Sequence, residues 1–249
     1  TLDVCVVAGV LALKTGRTVF FELNREEIFR TTGKRHASYI RHRLAADATG
    51  RILGMDIRFV LDKGAYVSLG GMKEPFHAVT MRTVMYAAGP YAVPNARVRS
   101  HSVFTNHPYS CAFRGFGAPQ AAYAMECQMD DLALRYHLDP VEFRKKNMMG
   151  LHFLDPFDRF LCASNGLERC IDRGCELVDW QAKRQAYDAF NHTSSNLKKG
   201  LGMAVFAYKT GVYPIQLETA SCRMLLNDDG SLQIQVCATE LGQGSDTVF

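Results

Sequence analysis

Two short glycine-containing loops carry the residues of this chain whose types and spacing could support chemistry. The first, 112–120, reads Ala-Phe-Arg-Gly-Phe-Gly-Ala-Pro-Gln, and the second, 239–244, reads Thr-Glu-Leu-Gly-Gln-Gly. A helix is predicted to follow each loop. Glycine lets the backbone approach another body closely, and a helix N-terminus offers free N–H groups at the positive end of its dipole. The pattern predicts a seat for an anionic or oxo group, and it is equally typical of a tight turn that caps a core helix.

Other kinds of site are disfavoured by residue spacing. Neither loop has the third glycine of a dinucleotide-binding motif, because Gln120 and Thr247 stand at that position. The 8 cysteines form no C-x-x-C pair, which argues against zinc and iron–sulfur ligation by this chain. The 8 histidines show no metal-ligand spacing and are interpreted as surface or core hydrogen-bonding groups.

Composition points to a globular protein with a substantial core. The chain has 249 residues, of which 47% are hydrophobic and 22% charged, and its net charge of +4 is too small to argue for a nucleic-acid partner. The longest apolar run, 6–13, is far too short to span a membrane. No signal peptide is recognisable. Free cysteines are typical of a reducing compartment, so a cytoplasmic location is expected.

The hydrophobic patterns alternate between helical and strand periods. Helices are predicted at 2–14, at a short segment capped by Asn24 and Glu27, after Pro119, after Asp139, and at 166–190. Strands are predicted at 18–23, 36–44, 52–61, 97–104, 200–208, 218–226 and 231–238, the second and third forming a hairpin. The segment 65–74 is predicted to be a loop, and Arg144-Lys-Lys146 a solvated helix end. The fold class expected is α+β, with mixed sheets and packed helices.

The most irregular stretch lies at 147–165, where helical pattern gives way to turn-prone sequence. We therefore predict one domain at 1–150 and the start of a second at 151–249. The chain begins without Met inside an apolar helical pattern and stops just after a glycine loop. It is expected to be a piece of a longer polypeptide.

The first loop, with Glu126 and the Arg144-Lys-Lys-Asn147 segment that follows it, resembles the molybdenum hydroxylases. This is the family of xanthine dehydrogenase and aldehyde oxidase, and the likeness runs from Lys14-Thr-Gly-Arg-Thr-Val19 to Glu240-Leu-Gly-Gln-Gly244. The resemblance implies parts of two molybdopterin-binding domains. It also implies a molybdenum–molybdopterin cofactor and oxidation of N-heterocycles or aldehydes with water as the oxygen source.

The resemblance carries over cofactor-binding roles to both loops. Arg114 matches the position whose backbone lies at the molybdenum centre, and the metal has no side-chain ligand in this family. In the second loop, the amide of Gln243 matches a donor to the oxo group of the metal; without the resemblance, it would be interpreted as a glutamine bonded within its own loop. The implied cofactor-binding residues are Phe113, Arg114, Gly115, Leu241, Gly242 and Gln243.

Substrate-binding roles are implied for three aromatic residues. Phe116 matches a phenylalanine against which aromatic substrates pack; taken alone, it would be interpreted as a core residue. Phe20 is aligned with an arginine that binds substrate in purine-oxidising members, so its apolar ring disfavours xanthine, although a neighbouring residue could substitute. Tyr213, next to Val212, falls near a second substrate-flanking aromatic position.

The general base of the family is a glutamate in a Gly-Glu-Pro context, which is expected beyond Phe249; Glu240 is interpreted instead as a cap or loop anchor. The resemblance places [2Fe–2S] centres and FAD on other domains or subunits, within an oligomeric enzyme. The alternative hypothesis is a non-catalytic fragment or scaffold that docks partner subunits. Whether the open reading frame continues into a Gly-Glu-Pro segment distinguishes the two.

Overall fold

A computed structural model of the chain describes residues 2–66, 78–156, 160–194, 196–208 and 219–249. The chain divides into two compact units, Thr1–Ala207 and Tyr208–Phe249. The predicted loop at 65–74 lies mostly outside the described residues. Among the described residues, no helix has the length and apolar character needed to cross a membrane.

The larger unit combines helices with one three-stranded sheet. Its helices are α1 Leu2–Thr15, α2 Arg25–Thr31, α3 Ala78–Met85, α4 Ala118–Arg135, α5 Pro140–Asn147, α6 Leu167–Val178 and α7 Trp180–Thr193. Its strands are β1 Ser38–Ala46, β2 Ile52–Gly64 and β3 Ala96–Phe104. The smaller unit contains a hairpin of β4 Cys222–Leu226 and β5 Leu232–Val236, followed by the short helix α8 Ser245–Val248.

The sheet of the larger unit is mixed, as the α+β prediction requires. Its order is β1-β2-β3, with β1 antiparallel to β2 and β2 parallel to β3. The central strand β2 supplies Ile57, Phe59 and Leu61, each 0% exposed, because alternate side chains of a strand face the same side. The predicted hairpin of β1 and β2 is confirmed, and so is the strand at 97–104.

Helix α4 runs through the core directly after the first glycine loop. It contacts β1, α3 and α5, and Ala121, Met125 and Met129 are fully buried at helical spacing. The predicted amphipathic helix is thereby confirmed. Its first turn contains Pro119, where the missing N–H leaves no donor unsatisfied.

A buried polar network joins α4 to α5 and to the segment that follows α7. The Glu126 carboxylate accepts hydrogen bonds from Tyr91 Oη at 2.5 Å, Arg144 Nε at 2.8 Å and the backbone N–H of Val205 at 3.0 Å. Burial acts to lower the pKa of Arg144, but its charge interactions with Glu126 and Tyr91 and its hydrogen bonds to Asp130 and Glu126 together outweigh burial, so the pKa is raised. Arg144 is 0% exposed. The prediction that it belongs to a solvated helix end was therefore wrong.

Four segments differ from the sequence-based prediction. The residues at 18–23 and 200–208 belong to no strand in the described part of the chain; a β-rich segment forms a strand only where a partner strand pairs with it. The N–H of Val205, for example, is taken by Glu126. The predicted helix at 166–190 is two helices, because Asp179 adopts left-handed backbone angles (φ 54°, ψ 56°) between them. Helix α3 was not predicted.

Candidate functional site

The first glycine loop makes an unusually tight turn into α4. Gly115, Phe116 and Gly117 have φ values of 89°, 42° and 95°, a left-handed region that side chains with a Cβ rarely adopt. Two internal hydrogen bonds close the turn, from Phe116 N to the Phe113 carbonyl at 2.7 Å and from Ala118 N to the Gly115 carbonyl at 2.9 Å.

Steric contacts make glycine necessary at two of these positions. A Cβ atom at Gly115 would lie 2.6 Å from Cγ of Pro119. A Cβ atom at Gly117 would lie 3.0 Å from the Val79 carbonyl and 3.1 Å from the Thr83 nitrogen, both in the backbone of α3. The loop therefore packs closely against α3, with no space for larger residues.

The loop presents backbone donors on an exposed surface. Phe113 is 48% exposed and Arg114 is exposed as well. Within the described residues, the N–H groups of Arg114 and Gly115 donate no hydrogen bond to the protein. Backbone N–H groups in such a turn can bind an anion or an oxo group. The residues predicted from the first loop thus lie together with free donors.

Phe116 is half-buried and packs against the hydrophobic core. The guanidinium of Arg82 lies 5.9 Å from the centroid of its ring. Arg82 is only 1% exposed and donates to Tyr86 Oη at 3.0 Å. A cationic group beside this ring was missed because α3 was not predicted. The available signal was a single arginine within the otherwise uncharged stretch 78–85.

The second glycine loop, in the smaller unit, is organised by one carboxylate. Glu240 accepts hydrogen bonds from the backbone N–H groups of Gly242, Gly244 and Ser245, and from the Ser245 hydroxyl at 2.7 Å. The Ser245 hydroxyl, followed by these backbone donors, lowers the pKa of Glu240 to about 2. The interpretation of Glu240 as a loop anchor is confirmed, and Gly244 is the N-cap of α8.

The Gln243 side chain bonds within this loop. Its Oε1 accepts from Leu241 N at 2.7 Å and its Nε2 donates to the Thr239 carbonyl at 2.5 Å. A primary amide has two N–H donors, so one donor of Gln243 is left over for another acceptor. Leu241 is 57% exposed, and Gly242 is exposed with φ 97°.

Phe20 and Tyr213 are the two remaining residues predicted to bind substrate. Phe20 is 84% exposed, in a segment that belongs to neither a helix nor a strand. Tyr213 and its neighbour Val212 lie outside the described residues. In the part of the chain that is described, no group of three His, Cys, Asp or Glu side chains could hold a metal ion. The donors that the loops offer are mainly backbone N–H groups.

Family models identify what these loops belong to. A model described as a molybdopterin cofactor-binding domain matches residues 1–148, and a second model with the same description matches 173–249. The chain belongs to the molybdopterin cofactor-binding domain family. The match covers both glycine loops, and the resemblance to molybdenum hydroxylases is confirmed.

Two curated relatives match the chain over almost its whole length. It is 34% identical over 244 residues to a xanthine dehydrogenase molybdenum-binding subunit of Escherichia coli O157:H7, covering 98% of this chain and 31% of the relative. It is 30% identical over 243 residues to an aldehyde oxidoreductase of Megalodesulfovibrio gigas, covering 96% of this chain and 25% of the relative. The chain thus spans about a third or less of the length of these relatives.

A solved structure is similar over most of the chain. The aldehyde oxidoreductase from Desulfovibrio desulfuricans matches with a TM-score of 0.74 and 30% identity, covering 92% of this chain and 24% of that one. This similarity agrees with the α+β class predicted from the sequence. It also agrees with helices that pack on a mixed sheet.

The first loop fits a molybdopterin cofactor. Molybdopterin and its metal oxo group carry hydrogen-bond acceptors, and the free N–H groups of Arg114 and Gly115 are suitable donors. The absence of a Cβ at Gly115 and Gly117 lets the turn stay tight against Pro119 and α3. The residues present are therefore compatible with the cofactor of the family.

Proposed function

We propose that this chain is part of a molybdenum-cofactor-dependent hydroxylase that oxidises aldehydes or N-heterocycles, with water as the source of oxygen. The observation that carries the proposal is the loop 112–117, whose exposed N–H groups and narrow turn suit the cofactor of the family. The molybdenum cofactor, when bound, supplies the two-electron oxidation of the substrate carbon. The chain itself supplies binding and orientation.

The proposed roles of the residues follow from their chemistry. The backbone of Phe113, Arg114 and Gly115 holds the cofactor through N–H donors, and Phe116 offers an apolar ring against which a flat substrate can pack. From the second loop, Leu241 and Gly242 would contact the pterin, and the remaining Nε2 donor of Gln243 would be available to an oxo group of the cofactor. We propose that the general base is a glutamate located beyond Phe249.

We further propose that the domains of the parent enzyme divide near residue 150, giving 1–150 and 151–249. The separate matches of the family models, to 1–148 and to 173–249, support this division. The compact units divide at a different point, after Ala207, because α6 and α7 belong to the larger one. Domains or subunits with [2Fe–2S] centres and FAD are the proposed electron acceptors, in a cytoplasmic oligomer.

The test of the proposed activity uses the full-length protein that contains this chain. It is purified from a host that makes the molybdenum cofactor and assayed with aldehydes and N-heterocycles in ¹⁸O-labelled water, with an artificial electron acceptor. One ¹⁸O atom per molecule of product is expected from an N-heterocycle, because the carbon that is oxidised carries no oxygen that could exchange with water beforehand. Oxidised product without the label would contradict a hydroxylase, and a stable, cofactor-loaded protein that oxidises no substrate would favour the scaffold hypothesis.

The preference for polar or apolar substrates depends on whether a cationic side chain contacts the substrate. A site that hydrogen-bonds its substrate rejects an analogue without the bonding group by roughly 10⁴-fold in kcat/KM. An apolar pocket distinguishes substrates of different size by only about 10–200-fold. Because Phe20 replaces the arginine to which it is aligned, we expect wild-type enzyme to favour aromatic aldehydes. A Phe20→Arg variant should raise the ratio of kcat/KM for xanthine to that for benzaldehyde, and Phe20→Leu, which adds no donor, is the control.

Arg82 offers an alternative source of the same contact, because its guanidinium lies 5.9 Å from the Phe116 ring. If Arg82 binds a polar substrate, Arg82→Lys should lower the xanthine-to-benzaldehyde ratio; because Arg82 is buried and donates to Tyr86, the melting temperature should fall as well, which affects both substrates alike. A ratio that moves in Arg82→Lys and not in Phe20→Arg would show that Phe20 does not face the substrate.

A further inference from the structure

We propose that Arg35 is a positioning residue for the cofactor loop, residues 112–117. Its side chain contacts the loop and keeps the backbone N–H donors of the loop in a fixed orientation. The proposal rests on the proposed function only in taking residues 112–117 as the cofactor loop. Arg35 Nη2 donates to the Arg114 carbonyl at 2.5 Å, and the guanidinium carbon lies 4.9 Å from the centroid of the Phe113 ring. One side chain thus holds two successive residues of the loop.

The loop needs such support because its own bonds are few. Within the described residues, two backbone hydrogen bonds close the turn, and both involve Phe113 or Gly115 carbonyls. The Arg114 carbonyl, in the middle, is held by Arg35. Phe116 also stands at φ 42°, a conformation that persists only where its surroundings enforce it. A charge-assisted hydrogen bond is among the stronger contacts that can do so.

Arg35 is itself held against the base of the loop. Its neighbour Lys34 donates its backbone N–H to the Tyr109 carbonyl at 3.2 Å and accepts from Cys111 N at 2.9 Å. A Cβ at Gly33 would lie 2.2 Å from the Cys111 sulfur, so only glycine allows the two segments to come this close. The segment carrying Arg35 is therefore bonded to the residues that lead directly into the loop.

The same segment is also bonded to the other end of the loop. Gln120, in the first turn of α4, donates its side-chain N–H to the His36 carbonyl at 3.4 Å. Residues 33–36 thus contact the chain before, within and after residues 112–117. This arrangement gives Arg35 a fixed base from which to hold the Arg114 carbonyl.

The charge of Arg35 is not neutralised by the described residues. Its Nη1 atom is buried and has no hydrogen-bond partner among them, and burial lowers its pKa. No carboxylate of the described residues forms an ion pair with it. An unpaired guanidinium beside the loop favours an anionic group there. Arg35 would therefore favour cofactor binding in two ways, by holding the loop in place and by attracting an anionic group of the cofactor.

Lysine should replace arginine poorly at this position. The planar guanidinium can donate to a carbonyl and stack on an aromatic face at once, whereas an ammonium is a point charge on a flexible stem. Arg35→Lys should retain part of the function and Arg35→Met little of it. Arg41→Met is the matched control, because Arg41 is an exposed arginine on β1 of the same unit.

The first experiment measures the local stability of the loop in protein that lacks the cofactor. Full-length wild-type and variant proteins are prepared from a host unable to make molybdopterin, and hydrogen–deuterium exchange is followed in the peptide spanning 110–118. Arg35→Met should speed exchange of this peptide by about tenfold or more, since a hydrogen bond to a charged group is lost. Arg35→Lys should give a smaller change, and Arg41→Met none.

The same variants are then prepared from a host that makes the cofactor, and molybdenum per protomer is measured. Arg35→Met should retain several-fold less molybdenum than wild type after prolonged dialysis, with the melting temperature nearly unchanged. Unchanged exchange at 110–118 would overturn the proposed positioning role of Arg35 whether or not the protein binds molybdopterin. Faster exchange with normal molybdenum content would overturn the link from Arg35 to the cofactor.

Discussion

A Gly115→Val variant of the full-length protein is expected to lose most of its molybdenum while keeping its fold. Gly115 has φ 89°, and any Cβ there would lie 2.6 Å from the ring of Pro119. Valine adds a stiff, β-branched side chain, and enforcing an unfavourable backbone conformation costs about 1–3 kcal/mol. Because each 1.4 kcal/mol changes an affinity tenfold, cofactor affinity should fall by about 10- to 100-fold.

Molybdenum per protomer, measured by mass spectrometry, checks this prediction. Gly150→Val is the matched control, since nothing lies within 4 Å of a Cβ built at Gly150 and its φ is not positive. The control should bind normal amounts of metal, and circular dichroism should show that both variants are folded. Normal metal content in Gly115→Val would show that this loop does not seat the cofactor.

A Glu126→Ala variant is expected to be strongly destabilised. The Glu126 carboxylate accepts from Tyr91, Arg144 and Val205, and it is only 7% exposed. Removing it leaves the fully buried guanidinium of Arg144 with the exposed Asp130 as its remaining acidic partner. Breaking a buried ion pair in this way lowers the free energy of unfolding by about 3–5 kcal/mol.

The midpoint of urea-induced unfolding, followed by circular dichroism on the full-length protein, checks the effect. Asp130→Asn is the control, because it removes the other carboxylate bonded to Arg144. The side chain of Asp130 is 57% exposed. The amide oxygen of the introduced asparagine can still accept from Arg144 Nη1 and Glu126 still pairs with Arg144, so the midpoint should move much less than in Glu126→Ala. Equal shifts in the two variants would contradict a structural role specific to Glu126.

Those parts of the fold that depend on local pattern could be predicted from the sequence. The capping box of Asn24 and Glu27 forms as expected, since both partners lie within one helical turn. The side chain of Asp139 caps α5 by accepting from Val141 N at 2.8 Å. The turn at 47–50 between two strand-like stretches was enough to predict the antiparallel hairpin, whereas the imperfect alternation of apolar residues left its register open.

Features that depend on tertiary contacts could not be predicted in the same way. The two helices α6 and α7 meet at Asp179, and the indole of Trp180, directly after it, donates to Asp139 at 3.1 Å. Nothing in the local periodicity near residue 179 signals a partner 41 positions away in the sequence. Likewise, the strand propensity at 18–23 had no partner strand to realise it among the described residues.

The residues of the candidate site likewise differ in whether local sequence signals could reveal them. Residues of the two loops could be found because glycine spacing and a following helix are local signals, and the resemblance assigned them roles. Arg35 and Arg82 could not be found, because each reaches its partner through the fold. Arg35 lies 79 positions from the carbonyl that it holds, and Arg82 reaches Phe116 from a helix that the pattern did not reveal.

The central claim is that this chain holds part of a molybdopterin site, and cofactor stoichiometry tests it most directly. Full-length protein is purified from a cofactor-producing host, and its molybdenum is measured by mass spectrometry and its pterin by fluorescence after oxidation. A molybdenum enzyme expressed in the same host is the positive control. Molybdenum and pterin in equal amounts, approaching one per protomer, are predicted. Folded protein that contains neither, while the positive control is fully loaded, would contradict the account.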